Sequence, residues 1–179
     1  MGDVTEDELY AAFKEQLVAL EQGGADACCI ETFFALDEAV LAIKAAREHT
    51  KLEIICTFMF ERTAQGGYRT MMGVSPTDMA VALLAAGADI IGTNCGNGME
   101  RMADIVREIR KAAPRAPILV HANAGMPVEK DGHTVFPETP ELMARHAVEV
   151  RKVGADIIGG CCGSTPDHIR AIAKAVRGL

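Results

Sequence analysis

The sequence predicts an α/β protein in which one helix is followed by five βα units, the arrangement of a partial (β/α)8 barrel of the TIM type. One pattern occurs three times, at 23–32, 86–95 and 153–162: Gly-Ala-Asp, a short apolar run, then small or polar residues. Two further apolar runs, 52–60 and 116–125, lie halfway between these copies. Near-continuous apolar strands of this kind are typical of a parallel sheet that is buried on both faces.

Helix start signals alternate with the predicted strands. Thr5 and Glu8 form a capping box ahead of the first helix, which carries an apolar stripe of Leu9, Phe13, Leu17 and Leu20. Ser-Pro or Thr-Pro pairs at 75–76, 139–140 and 165–166 place a capping residue before a proline at the first helical position. The later helices are predicted over 36–49, 77–86, 99–113, 140–153 and 166–177.

The number of units indicates an incomplete barrel. A full eight-stranded barrel takes about 250 residues, so the 179 residues of this chain fall about three βα units short. An open, doubly wound sheet of five strands is the alternative. The repeat begins at Gly24, Gly87 and Gly154, and no glycine-rich phosphate loop follows the first strand. The regular spacing of these three glycines and the lack of a phosphate loop favour a partial barrel. Residues 1–179 are then expected to form a single domain.

Composition excludes several classes of function. The chain is 49% hydrophobic and 24% charged, with a net charge of −7, so nucleic acid and anionic membranes are not expected as partners. No apolar run approaches the roughly 20 residues of a membrane span. The acidic first ten residues lack the layout of a signal peptide, and we expect a cytoplasmic location.

Three of the six cysteines end neighbouring parts of the predicted barrel. Cys95 ends the third strand, and Cys161 and Cys162 end the fifth, so their sulfurs should converge on one rim. Three thiolates with a vacant fourth position are typical of a catalytic zinc site. Buried structural cysteines or a redox-active vicinal pair are the alternatives. The remaining cysteines, Cys28, Cys29 and Cys56, are predicted to pack in the core.

Several motifs resemble one known family. GTNCGNG at 92–98 and GGCCGSTPDHI at 159–169 resemble the two zinc-ligand motifs of the homocysteine S-methyltransferase family. IETF at 30–33 and NAG at 123–125 match that family in the same order. The stretch NAGMPVEKDGHTVFPETPELMA is most similar to the homocysteine domain of cobalamin-dependent methionine synthase. The resemblance extends through nearly all of the chain.

The resemblance implies a (β/α)8 barrel in which the run at 24–31 corresponds to the fourth strand. The chain would then contain strands 4–8 and lack counterparts of the first three, including the glycine-rich first strand that helps to bind the amino acid. It also implies one Zn²⁺ per chain, held by Cys95, Cys161 and Cys162. The implied reaction is methyl transfer to the thiol of homocysteine, giving methionine. The methyl donor, methylcobalamin or another activated methyl compound, would be held elsewhere.

Three other residues are site candidates. Glu31 ends the first strand on the same rim, and the resemblance implies that it binds the amino group of the substrate. Asn123 ends the strand between the two cysteine strands, so it could reach zinc or substrate, with turn formation before Gly125 as the alternative. Asn94 has the same two interpretations as a substrate-binding residue. His121 is a competing metal ligand, but within its apolar strand it is predicted to be a hydrogen-bonded packing residue. His168 is predicted to lie in a loop or on a helix surface.

Two alternative functions stay open. The chain could be an incomplete fragment or split subunit that binds zinc but needs a partner chain for catalysis, or it could methylate another thiol. Three missing strands would leave two open sheet edges, which favour pairing with another chain. The expected partners are therefore homocysteine, a methyl-donor domain or corrinoid protein, and an oligomer or partner chain that covers the edges.

Overall fold

The structure is a computed structural model that describes residues 4–178, in which nine strands alternate with six helices. The strands are β1 (Ala27–Phe33), β2 (Glu53–Phe58), β3 (Glu61–Arg62), β4 (Tyr68–Arg69), β5 (Ile90–Gly98), β6 (Ile118–Asn123), β7 (Val128–Lys130), β8 (His133–Val135) and β9 (Ile157–Gly160). The helices are α1 (Glu6–Gln22), α2 (Leu36–His49), α3 (Pro76–Ala86), α4 (Met99–Ala112), α5 (Pro140–Lys152) and α6 (Pro166–Val176).

The main sheet has five parallel strands in the order β1-β2-β5-β6-β9. Each of these strands pairs with the next one along the chain, for example through Ile55 with Ile90 and Leu119 with Ile157. A doubly wound sheet would instead reverse its strand order at a switch point. The predicted partial barrel is therefore confirmed, and it is not closed, because β1 and β9 each have a free edge.

The helices begin at their predicted capping residues. Thr5 and Glu8 make the reciprocal hydrogen bonds of a capping box, as do Ser75 and Asp78 ahead of α3. The side chain of Thr139 accepts a hydrogen bond from a backbone N–H in the first turn of α5. These local bonds satisfy backbone donors that a helix terminus leaves free, which is why the helix starts could be predicted from sequence.

The hydrophobic core lies between the helices and the outer face of the sheet. The strand residues Ile54, Cys56, Phe58 and Ile91 are fully buried there, and Cys28 is nearly so. Large helix side chains complete this layer, namely Ile43, Met79, Leu83, Met102, Ile105 and Ile109.

The inner, concave face of the sheet is open along β1. Ala27, Cys29 and Glu31 alternate with the buried residues of this strand and are exposed. The prediction that Cys29 packs in the core is therefore wrong. β1 lies at the edge of the sheet, and no described strand covers its inner face.

Two small hairpins lie beyond the ends of the main strands. The connections at 61–75 and 126–138 contain the antiparallel pairs β3–β4 and β7–β8. Both hairpins follow the C-terminal end of a strand, where α/β proteins place their sites. Among the described residues, no helix is both long and apolar enough to cross a membrane.

Candidate metal centre

Three cysteine sulfurs meet at the C-terminal end of the sheet. Cys95 lies in β5, and Cys161 and Cys162 directly follow β9, so the two cysteine strands flank β6. The Sγ of Cys162 lies 3.8 Å from that of Cys95 and 3.9 Å from that of Cys161. All three sulfurs lie within 4.8 Å of one another. Within residues 4–178, no other cluster of three His, Cys, Asp or Glu side chains has metal-binding geometry.

A left-handed turn directs Cys95 into this cluster. Cys95 has φ 57° and the next residue, Gly96, has φ 66°. A non-glycine residue in this region costs on the order of 1 kcal/mol or more, so neighbouring contacts must hold it. Asn97 supplies one of them, since its Nδ2 donates a 2.6 Å hydrogen bond to the carbonyl of Phe60.

The end of β6 holds the Cys161–Cys162 turn. The N–H of Cys161 donates to the carbonyl of Ala122 at 2.7 Å, and the N–H of Cys162 donates to Oδ1 of Asn123 at 3.1 Å. The carbonyl of Cys162 in turn accepts from the N–H of Ala124 at 2.9 Å. Asn123 is 4% exposed, so in this structure its carboxamide oxygen fixes the vicinal cysteines.

Glu138 connects the two cysteine turns, a role that the sequence did not reveal. Its N–H donates to the carbonyl of Ala124, and its own carbonyl accepts a 2.9 Å hydrogen bond from Nε2 of His168. Its carboxylate lies where a side chain of Gly98 would be, at the start of the helix after Cys95. Burial raises the pKa of this carboxyl, while His146 and the backbone of Met99 oppose the change.

The prediction that His168 lies on a helix surface is wrong. His168 is 7% exposed, and its Nδ1 accepts from the N–H of Thr165 while its Nε2 faces the carbonyl of Glu138. Both contacts are satisfied by the tautomer with its proton on Nε2. The sequence did contain a signal for this role. His168 lies three residues after Thr165, the position from which a side chain can hydrogen-bond back to the residue that caps the helix.

Burial keeps the thiol of Cys161 protonated. Burial, with a contribution from the neighbouring Cys95, raises the pKa of Cys161 to about 12. At neutral pH a thiol with this pKa is not ionised, and only a thiolate is a strong nucleophile or metal ligand. Cys161 therefore requires a positive charge beside it before it can bind as a thiolate at neutral pH.

Glu31 and His121 lie on the open inner face. Glu31 is exposed on β1, and its Oε2 lies 3.7 Å from the Sγ of Cys29. His121 is half-buried on β6; burial lowers its pKa, and the charge of Glu31 partly offsets this. Among the described residues the His121 ring makes no hydrogen bond, and it lies against Gly159 of β9.

Asn94 joins three strands from a fully buried position. Its Oδ1 accepts hydrogen bonds from the hydroxyl of Thr57 at 2.7 Å and the N–H of Thr32 at 3.0 Å. Its Nδ2 donates to the hydroxyl of Thr32 at 2.7 Å. Thr32 has φ 67° and follows Glu31. The carboxamide thus holds the strained turn that positions Glu31, while direct substrate contact by Asn94 stays a prediction.

We expect Asn94→Ala to lower the free energy of unfolding by about 3 kcal/mol, because it leaves buried partners without hydrogen bonds. Urea denaturation followed by circular dichroism would measure this change. Thr134→Ala, in the exposed β7–β8 hairpin, is the control and should cost less than about 0.5 kcal/mol. Equal stability of the two variants would contradict the bracing role of Asn94.

Comparison with known proteins gives a consistent result. Residues 1–176 match the homocysteine S-methyltransferase family. The methionine synthase of Mycobacterium leprae is 35% identical over 170 residues, which cover 92% of this chain and 14% of that protein. The methionine synthase of Mycobacterium tuberculosis is 32% identical over 174 residues, or 94% of this chain and 14% of that protein. The chain thus spans about a seventh of these relatives.

Solved structures support the fold. The apo form of the homocysteine methyltransferase MmuM from Escherichia coli has a TM-score of 0.76 at 19% identity, covering 96% of this chain and 57% of that one. Its metallated form has a TM-score of 0.72 at 20% identity, covering 92% of this chain and 51% of that one. With the family match over nearly the whole sequence, the chain belongs to the homocysteine S-methyltransferase family.

Proposed function

We propose that Cys95, Cys161 and Cys162 bind one Zn²⁺. Tetrahedral zinc–thiolate bonds of about 2.3 Å place two sulfurs about 3.8 Å apart. Two of the three separations, 3.8 and 3.9 Å, match this value, and the third pair lies within 4.8 Å. Three soft sulfur donors favour zinc over magnesium or calcium, and a three-residue set leaves one coordination position for substrate. These sulfur distances are the observation that carries the proposal.

We infer that the site activates the thiol of homocysteine for methyl transfer, giving methionine. Family membership and similarity to methionine synthases support this substrate. When bound, zinc would supply the positive charge that keeps the substrate thiol deprotonated at neutral pH. The half-exposed cluster lies at the open end of the sheet, so both substrate and methyl donor have access to it.

The chain's own residues would hold the rest of the substrate. Glu31 is exposed on the concave face and carries the charge needed to bind an amino group. Asn123 positions the vicinal cysteines through its oxygen, and it lies close enough to them to contact substrate as well. Asn94 would act one step further away, through the turn at Thr32.

The domain is proposed to be the C-terminal part of a homocysteine-binding barrel that lacks its first three strands. The free edge of β1 and the exposed inner face beside Glu31 support this proposal. The same observations favour the second candidate function, a split or partial barrel that binds zinc but needs a further segment for turnover. In either case the methyl donor, a corrinoid or another activated methyl compound, would come from another domain or protein.

The test is titration of the zinc-loaded chain with homocysteine in weak buffer near pH 7.5. We expect release of about one proton per site, because the substrate thiol loses its proton on binding. Methionine, which has no thiol proton, is the matched control ligand and should release none.

Glu31→Gln should weaken homocysteine binding about tenfold through loss of a charge-assisted hydrogen bond. Glu61→Gln, in the β3–β4 hairpin, is the control variant. Bound zinc without any proton release would contradict thiol activation by this chain and favour the partial-barrel candidate.

A further inference from the structure

The Gly-Ala-Asp repeat forms a structural joint at the N-terminal end of the sheet. In the second copy, Oδ2 of Asp89 accepts a 2.8 Å hydrogen bond from the N–H of Ile54 on the preceding strand, β2. Arg47, two residues before the end of α2, pairs with Asp89 and donates to the carbonyl of Gly87 at 2.7 Å. Asp89 therefore connects its own strand, β5, to the neighbouring strand β2 and to α2, the helix that precedes β2.

The third copy repeats this joint two strands further along the sheet, at the start of β9. Oδ2 of Asp156 accepts a 3.0 Å hydrogen bond from the N–H of Ile118 on β6. Arg110, again two residues before the end of its helix, donates to Asp156 at 2.8 Å and to the carbonyl of Gly154 at 2.6 Å. Two independent copies with the same partners define a rule for the joint.

The first copy has the same backbone but lacks the partners. Gly24 has φ 91°, against 105° for Gly87 and 114° for Gly154. The N–H of Ala25 bonds back to the preceding helix, as the equivalent alanines do in the other copies. Among the described residues, however, the carboxylate of Asp26 has neither an arginine nor a strand N–H, and Asp26 is exposed.

The space beside Gly24 is also open. A Cβ placed on Gly87 would lie 3.3 Å from the side chain of Arg47, and one on Gly154 would lie 2.9 Å from that of Arg110. A Cβ on Gly24 would meet no atom within 4 Å. The first copy therefore retains the shape of the joint with its arginine position empty.

We propose that Asp26 and the free edge of β1 form a docking surface for a strand–helix–strand segment whose helix carries an arginine in its last turn. By the rule of the other two copies, the second strand of this segment pairs in parallel with β1 and donates an N–H to Asp26. The arginine binds Asp26 and the carbonyl of Gly24. These contacts do not depend on zinc or on methyl transfer.

The position of α1 supports this assignment. Each strand of the sheet after β1 is preceded by a helix that connects it to its neighbour, and α1 precedes β1 in the same way. α1 packs against α2, where the hydroxyl of Tyr10 contacts Glu48 and His49, and Phe13 lies against Phe33 of β1. A segment joined ahead of α1 would thus place its last strand directly beside β1.

The test joins such a segment to the chain and probes Asp26 in both contexts. The segment is a second copy of the unit β1–α2–β2, residues 27–58, whose helix carries Arg47 in its last turn, fused ahead of residue 1. Hydrogen exchange of the β1 amides should slow at least about tenfold in the fusion, because edge N–H groups gain partners. Asp26→Ala should remove most of this protection and lower the Tm of the fusion by about 5 °C.

Two controls keep the result specific. In the isolated chain, Asp26→Ala should shift the Tm by less than about 1 °C, whereas Asp156→Ala should lower it by about 5 °C, since only Asp156 has its partners. Glu15→Ala, an exposed change on α1, should affect neither form. Unprotected β1 amides in the fusion, or an equal effect of Asp26→Ala in both contexts, would overturn the proposal. So would sedimentation data showing that a second copy of the chain already covers β1.

Discussion

Cys162→Ser is expected to lower zinc affinity on the order of 100-fold or more, the largest functional effect of any single change in this chain. Cys162 lies within 4 Å of both other sulfurs, so it is the central member of the cluster. A serine hydroxyl is a harder and far less acidic ligand than a thiol. Competition with a chromophoric chelator under reducing conditions would measure the affinity.

Cys29→Ser is the matched control for this experiment. Cys29 is an exposed thiol on the inner face, outside the cluster of three. Its replacement should leave one zinc per chain with unchanged affinity. Zinc binding that survives Cys162→Ser, or that is lost equally in Cys29→Ser, would exclude the proposed ligand set.

Zinc affinity should also rise with pH between about 6.5 and 8. Burial, with a contribution from Cys95, raises the pKa of Cys161 to about 12, so this thiol is protonated throughout that range. Since zinc binds the thiolate, protons compete with the metal, and each unit of pH weakens that competition. Proton release on zinc uptake, measured in weak buffer, would check the sign.

Gly92→Ala is expected to lower the free energy of unfolding by about 4 kcal/mol, the largest effect on stability. Gly92 lies in β5 and is fully enclosed, and a Cβ there would overlap the backbone carbonyl of Leu119 on β6. A backbone overlap cannot be relieved by rotating a side chain, so the strands must separate. Because β5 and β6 carry or hold all three cysteines, zinc affinity should fall as well.

Denaturation in urea would measure the effect of Gly92→Ala. Gly178→Ala is the control, since a Cβ at Gly178 meets nothing within 4 Å and its backbone is not left-handed. A loss of less than about 1 kcal/mol in Gly92→Ala would show that the two strands can move apart cheaply.

The sequence predicted the elements that depend on local signals. The capping box of Thr5 and Glu8 and the proline after Ser75 act within one helical turn, so they can be recognised without knowledge of the fold. The repeat of Gly-Ala-Asp predicted the alternation of strands and helices. The convergence of Cys95 with Cys161 and Cys162 followed from strand order alone, because parallel strands end at one edge of a sheet.

The sequence did not predict residues whose environment depends on distant partners. Cys28 and Cys29 are adjacent and chemically identical, but only one is buried, because the strand alternates and its inner face lacks a neighbour. His168 and Glu138 are 30 positions apart, and neither motif indicates that they meet.

By itself, then, the sequence determined the helix starts, the parallel strands and the identity of the clustered thiols. Caps and periodicity are short-range properties, and the repeat shows which residues end each parallel strand. Only the tertiary structure decided which side of each strand faces solvent. It also decided that the carboxamide of Asn94 is hydrogen-bonded to Thr32 and Thr57, and that Asp26 lacks the arginine partner that Asp89 and Asp156 have. These outcomes depend on register and on contacts between residues far apart in the chain. Such contacts leave no local pattern in the sequence, because whether a strand's edge is free depends on which other strand lies beside it.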